Sequence, residues 1–253
     1  MSDGIRWLAD LDDWDVPVVF AQGVGPAELA RRLSVRPDAA ATPLRPMTGR
    51  QAYEVASSAA RTDPMGDEGG VVRVGECGGW SFALEYGDST ALDRLRGVSR
   101  GGAEAISLHP FIERAPAMFH WTKDGQGVCS FEIGGERTRQ GPCPDLLVPD
   151  LIRGGVLADG DEYAQPDGQP MAERHRRTLG ILERRFGLTL SRGYLESVLL
   201  PAFAVRGAPD DCVLDEPQDA AAIRAWAEAQ GYSPWEGRPP ADIREAYEIA
   251  HRL

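Results

Sequence analysis

The chain has 253 residues, 42% of them apolar, with 39 acidic against 27 basic side chains and a formal charge of −12. That length can bury a core and hold one large domain beside a small one, while the acidic balance excludes a protein that coats nucleic acid or an anionic membrane with its whole surface. No run approaches the roughly 20 apolar residues of a membrane span, and Met1-Ser2-Asp3-Gly4 lacks the basic and apolar regions of a secretory signal, so no membrane partner and a cytoplasmic location are expected.

Trp7, Leu8 and Leu11 begin a short helix or turn that ends in the acidic stretch Asp10 to Asp15. Val16-Pro17-Val18-Val19-Phe20 reads as a strand with Pro17 at its start or on an edge. Gly25 to Leu33 reads as a helix with Pro26 at its first position, where a missing amide hydrogen is harmless, and with Leu29 and Leu33 facing the core. Residues 35–47 carry Pro37, Pro43 and Pro46 and read as loop; Thr48 caps a helix through Ala60; residues 61–70 are a second loop.

Val71 to Glu76 and Trp80 to Tyr86 alternate as strands around Cys77-Gly78-Gly79, a hairpin signal. Trp80, Phe82 and Leu84 share one face; Ser81, Ala83 and Glu85 share the other. Ser89 can cap a helix bearing Leu92 and Leu95. Three more strands follow, Ala103 to Leu108, Ala117 to Lys123 and Gly127 to Ile133, with Asp124-Gly125 turning the second into the third. The segment from Gly141 to Pro170 is loop-rich, with one short helical piece near Leu146 to Ile152. Residues 171–186 are a strong helix with His175, Leu179, Leu182 and Phe186 near one face, and Tyr194 to Leu200 a short one.

The fold expectation is therefore α+β: an antiparallel sheet of about five or six strands with flanking helices, plus a small C-terminal helix–loop–helix module. Residues 1–205 form the body, the polar, proline-bearing 206–218 a linker, and 219–253 the module.

Sequences that invite a chemical reading in the body each lack a required part. Gly23-Val24-Gly25-Pro26-Ala27-Glu28 follows a strand and precedes a helix, but Glu28 replaces the third glycine of a dinucleotide loop and opposes a pyrophosphate. Gly79-Trp80-Ser81-Phe82-Ala83 nearly spells a nucleophile elbow, yet Ala83 replaces the last glycine and strand alternation runs straight through it. Asp10, Asp12, Asp13 and Asp15 lack the loop glycine and distal glutamate of a calcium hand. His109, His120, His175 and His251 show no His-x-x-x-His spacing; His120 beside Trp121 reads as a packed sheet histidine before it reads as a base. Cys77, Cys129, Cys143 and Cys212 show no Cys-x-x-Cys. No catalytic residue, metal site or cofactor is assigned, and an enzyme whose site is scattered along the chain stays open as an alternative.

The module is the informative stretch. Asp219 is a plausible N-cap; Ala222, Ile223, Trp226 and Ala227 fall on one helical face; Gly231 sits where a left-handed C-cap is wanted. Pro239 and Pro240 suit the entry to a second helix, whose apolar face is Ile243, Ala246, Tyr247 and Ala250. A unit of this size has a thin core.

Ala-Ile-Arg-x-Trp-Ala at 222–227, Gly231, Gly237-Arg238-x-Pro240 and Ala241-Asp242-Ile243 with Ala246-Tyr247 resemble the C-terminal DNA-binding module of the actinobacterial H-NS-like nucleoid-associated proteins, a family of xenogeneic silencers. The resemblance covers 219–253. It implies contact with AT-rich DNA, made in the family by an Arg-Gly-Arg loop in the narrow, strongly negative minor groove. Carried over, it assigns Gly237, Arg238 and Pro239 to that loop, with Arg224 as a supporting cation. Glu236 stands where the family has its first arginine. The module also looks like the peripheral subunit-binding domain of the 2-oxoacid dehydrogenase acyltransferases, which docks proteins; Tyr232 and Trp235 are the anchors in that alternative. Four arginines face six acids from Asp219 onward, and phosphate contacts by Lys and Arg supply most non-specific DNA affinity. The body dimly resembles an uncharacterised actinobacterial family over about residues 5–200, through Phe20-Ala21-Gln22-Gly23-x-x-Pro26-x-Glu28-x-x-x-Arg32-Leu33 and Gly78 to Glu85. That family lends no activity, and the oligomeric state is not legible.

Overall fold

A computed structural model of the chain describes residues 4–10, 14–34, 41–62, 69–87, 89–110, 116–164, 168–206 and 220–230. By its internal contacts the chain forms two units, Met1–Ala208 and Pro209–Leu253.

In the first unit the centre is a nine-stranded sheet. Its strands are β1 (Val18–Gln22), β2 (Thr42–Met47), β3 (Gly69–Cys77), β4 (Trp80–Tyr86), β5 (Glu104–His109), β6 (Met118–Lys123), β7 (Gln126–Glu132), β8 (Gly135–Gln140) and β9 (Leu200–Arg206). They lie in the order β2-β9-β3-β4-β1-β5-β6-β7-β8, and every pairing is antiparallel.

Nine strands correct the expectation of five or six. The six strands read from alternation are the contiguous middle, β3 to β7 in space. The three that were missed are added at the ends. β2 is an outer strand of sequence Thr-Pro-Leu-Arg-Pro-Met; its prolines suggested loop, but an edge strand tolerates residues without an amide hydrogen. β8, Gly-Glu-Arg-Thr-Arg-Gln, is the other outer strand and is polar, as edges that resist further pairing tend to be. β9 begins at Leu200, where a helix was expected to end; that helix is shorter and earlier, at Arg192–Glu196.

Both faces of the sheet are covered. On one, a cluster of Phe20, Phe82, Leu84, Ile106, Phe119 and Phe131 packs against Ile5 and Leu8 of a 3-10 helix (Arg6–Asp10) and its approach, and against three helices: α2 (Gly49–Thr62), α4 (Val148–Arg153) and α5 (Met171–Phe186). On the other, Val19, Val72, Val74 and Ala83 pack against Leu29 and Leu33 of α1 (Pro26–Leu33) and Leu95 and Val98 of α3 (Ala91–Val98). Strand β4 is buried at all seven residues because helices lie on both sides of it. The short α6 (Arg192–Glu196) precedes β9.

Local chemistry explains most boundaries. Thr48 and Gln51 form a reciprocal cap on α2: the Gln51 amide donates to Thr48 Oγ1 at 3.4 Å, and the Thr48 amide to Gln51 Oε1 at 3.0 Å. Asp124 and Gly125 have φ of 48° and 77°, the paired positive values of the tight turn whose twist matches a hairpin; Gly78 and Gly79, at 61° and 82°, do the same between β3 and β4. Ser89 does not cap α3. Its hydroxyl donates to the buried Glu85 at 2.7 Å, and Leu92 is 53% exposed.

In the second unit α7 (Ala220–Ala229) is described. The remainder of the module, and the linker after Arg206, lie outside the described residues. Among the described residues no helix is long and apolar enough to cross a membrane.

Candidate functional site

Ser81 is the second residue of β4, paired with Ala21 on one side and Glu76 on the other. The continuous ladder leaves no elbow. Its buried hydroxyl donates to the Val24 carbonyl at 2.6 Å, so its proton is engaged by backbone. An open cleft of ≈ 450 Å³ runs beside it, between the β3–β4 turn and the start of α1, lined by Val24, Gly25, Glu76, Cys77, Gly78 and Trp80 among others. Among the described residues no histidine lines it, and the Cys77 sulfur accepts a 2.9 Å bond from the Thr189 hydroxyl. Those residues offer no nucleophile paired with a base.

Glu28, at the start of α1, accepts hydrogen bonds from Arg31 and Arg32 at 2.6 and 2.8 Å. Those guanidinium groups, Arg31 foremost, hold its carboxyl down at about 2. A fixed negative charge there opposes a phosphate. Asp10 is paired with Arg176 of α5, Asp15 is exposed, and Asp12 and Asp13 lie outside the described residues.

The polar constellation of the body lies on β5 and β6. Alternation sends Ile106, Leu108, Phe119 and Trp121 into one core; Ser107, His109, Met118 and His120 therefore project from the opposite face. Register brings them together: Ser107 stands opposite His120, and His109 opposite Met118. The two imidazole centroids are 6.2 Å apart, edge to face. Ser107 is fully buried, His109 is 8% exposed, and His120 and Met118 are half-buried. Ser107 Oγ, His109 Nε2 and His120 Nε2 are buried without a hydrogen-bond partner, and no other side-chain atom among the described residues shares that condition. Burial, and then the proximity of His120, push His109 down to about 4; burial alone lowers His120. Burial thus disfavours the charged form of both rings.

The sequence reading weighed His120 alone. It missed Ser107 and His109 because only strand register joins them. The available signal was polar residues at alternate positions of two adjacent strands otherwise filled with Ile, Leu, Phe and Trp. His175 is elsewhere, half-buried on α5 beside Gly134, and His251 lies outside the described residues.

Two other buried ionisable groups are structural. Glu136 accepts from the Gly134 amide at 2.6 Å and from the Thr178 hydroxyl, fastening β8 to α5. Glu85 accepts from the Thr90 amide at 3.0 Å at the start of α3. Among the described residues no group of three or more His, Cys, Asp or Glu side chains could hold a metal ion.

In the second unit, Arg224 and Trp226 of α7 are half-buried and Ala227 is buried. Gly237, Arg238 and Pro239, with Glu236 and the docking anchors Tyr232 and Trp235, lie outside the described residues.

A model of a family of unknown function, DUF6461, matches residues 13–208. No curated protein and no solved structure matches the chain.

Proposed function

The chain belongs to DUF6461, a family of unknown function, and we propose that it joins a body of this family to a module that contacts AT-rich DNA, making it a non-enzymatic regulatory or nucleoid-associated protein. The supporting observation is where the family ends. The match stops at residue 208, the compact body stops at Ala208, and the residues that resemble a silencer's DNA-binding module follow in the separate unit Pro209–Leu253. The helix α7 spans the Ala-Ile-Arg-x-Trp-Ala segment of that resemblance.

The contact runs through Arg238, flanked by Gly237 and Pro239, with its guanidinium in the narrow minor groove. Arg224 adds a phosphate contact. The body supplies a partner or sensory surface, and its engaged Ser81 hydroxyl supports a role without catalysis at that strand.

The test is an anisotropy titration of the full chain with an AT-rich duplex at low salt, comparing wild type with Arg238→Ala. Micromolar binding lost in the variant is expected. Equal binding by both, or none by either, rejects the reading. The acidic balance of the module favours one rival, protein docking through Tyr232 and Trp235. If Glu236→Arg creates strong DNA binding from a wild-type level near zero, docking is the better account.

A further inference from the structure

We infer that His109, Met118 and His120 form a binding site for one soft, singly charged metal ion of the cuprous class, with the Ser107 hydroxyl beside it. Three buried polar side-chain atoms lack partners among the described residues, and all three belong to this cluster. A buried polar atom without a partner costs about 1–3 kcal/mol, so two orphaned imidazole nitrogens at one place call for a ligand that meets both.

Register puts the three donor residues side by side on one face. His109 and Met118 are opposite one another across β5 and β6, and His120 follows Met118 by two residues on the same face. Imidazole nitrogens bind such ions at about 2 Å, a reach compatible with ring centroids 6.2 Å apart. Edge-to-face contact alone is a favourable ring arrangement, but it leaves both Nε2 atoms orphaned.

The donor set selects the ion. Two neutral imidazoles and a thioether are borderline and soft ligands, which suit Cu(I). A divalent ion buried without a compensating carboxylate carries a large desolvation cost, and no carboxylate cluster of metal-binding size exists among the described residues. Oxygen-seeking Mg²⁺ and Ca²⁺ find the wrong donors. An anion finds neutral rings and one hydroxyl.

The test uses the full-length protein with ¹⁵N-labelled histidine, kept anaerobic, and one equivalent of Cu(I), with Ag(I) as a redox-inert surrogate. The Nε2 resonances of His109 and His120 should move together at one equivalent and stay in place with Zn²⁺. Met118→Leu, which preserves shape, should weaken retention against a competing chelator about tenfold or more with its near-ultraviolet circular dichroism unchanged. Metal captured by the thiols while both imidazole signals stay put would overturn the assignment, as would a Zn²⁺ response equal to that of Cu(I).

Discussion

Nη1 of Arg73 donates a 2.7 Å hydrogen bond to the Tyr86 hydroxyl, between a guanidinium with no exposed surface and a phenol almost as deeply buried. The remaining partners of Arg73 are main-chain carbonyls: Met47 at 3.0 Å, Leu195 at 3.1 Å and Val198 at 2.6 Å. One side chain thereby ties β3 to the end of β2, to α6 and to the turn after it. Arg73→Met removes the donors and leaves several acceptors buried; a loss of about 3 kcal/mol is expected, read by urea unfolding. Arg73→Lys should recover little, because an ammonium cannot reproduce the planar fork.

His109 makes the body sensitive to acid. Its folded value of about 4 lies below the ordinary 6.5, so the fold favours the neutral ring. The associated stability is fully present above pH 6.5 and is lost as pH falls through about 4, up to about 3 kcal/mol. Unfolding free energies of metal-free wild type and His109→Gln, measured from pH 7 to pH 4, should converge toward the acid end. Parallel profiles would contradict this.

Glu136 has the opposite sign. Burial raises its carboxyl above the ordinary 4.5, against the hydrogen bonds from Thr178 and Gly134 that favour the charged form. Stability linked to its proton is present below pH 4.5 and declines as pH rises from there. Glu136→Gln keeps an acceptor oxygen for both donors and removes the charge. Relative to wild type, the variant should gain between pH 4 and pH 8; a constant difference across that range would count against the assignment.

On the proposed DNA-binding reading, the few cations of the module should make its affinity depend only weakly on salt. With Arg224 at a phosphate and Arg238 in the minor groove as the two DNA-facing charges, the slope of log K against log salt should be about −2. Glu236→Arg should steepen it by about one. A slope several times larger would mean that basic residues of the body share the contact.

The interior of the fold was readable in the sequence where burial imposes a period. β4 shows it best, with Trp80, Phe82 and Leu84 for one core and Ser81, Ala83 and Glu85 turned to the other face. The rims were not readable. Pro43 and Pro46 on β2, and Arg137 and Arg139 on β8, carry no apolar alternation because an edge has no second neighbour to satisfy. β9 begins with Leu200-Pro201 and follows a helical stretch, so its place next to β3 is a matter of tertiary pairing. The histidine cluster failed for a related reason. His109 and His120 are eleven positions apart in the chain, and only the register of β5 against β6 makes them neighbours.

β9 enters the sheet between β2 and β3, and this sets an order of events during synthesis. Until Leu200 to Arg206 leave the ribosome, one margin of β3 has nothing to zip to and β2 has no place in the sheet. Closure must therefore wait until nearly all of the body has been translated. A nascent chain halted before residue 200 should remain open to proteases and chaperones, whereas one halted shortly after Arg206 has emerged should already resist them.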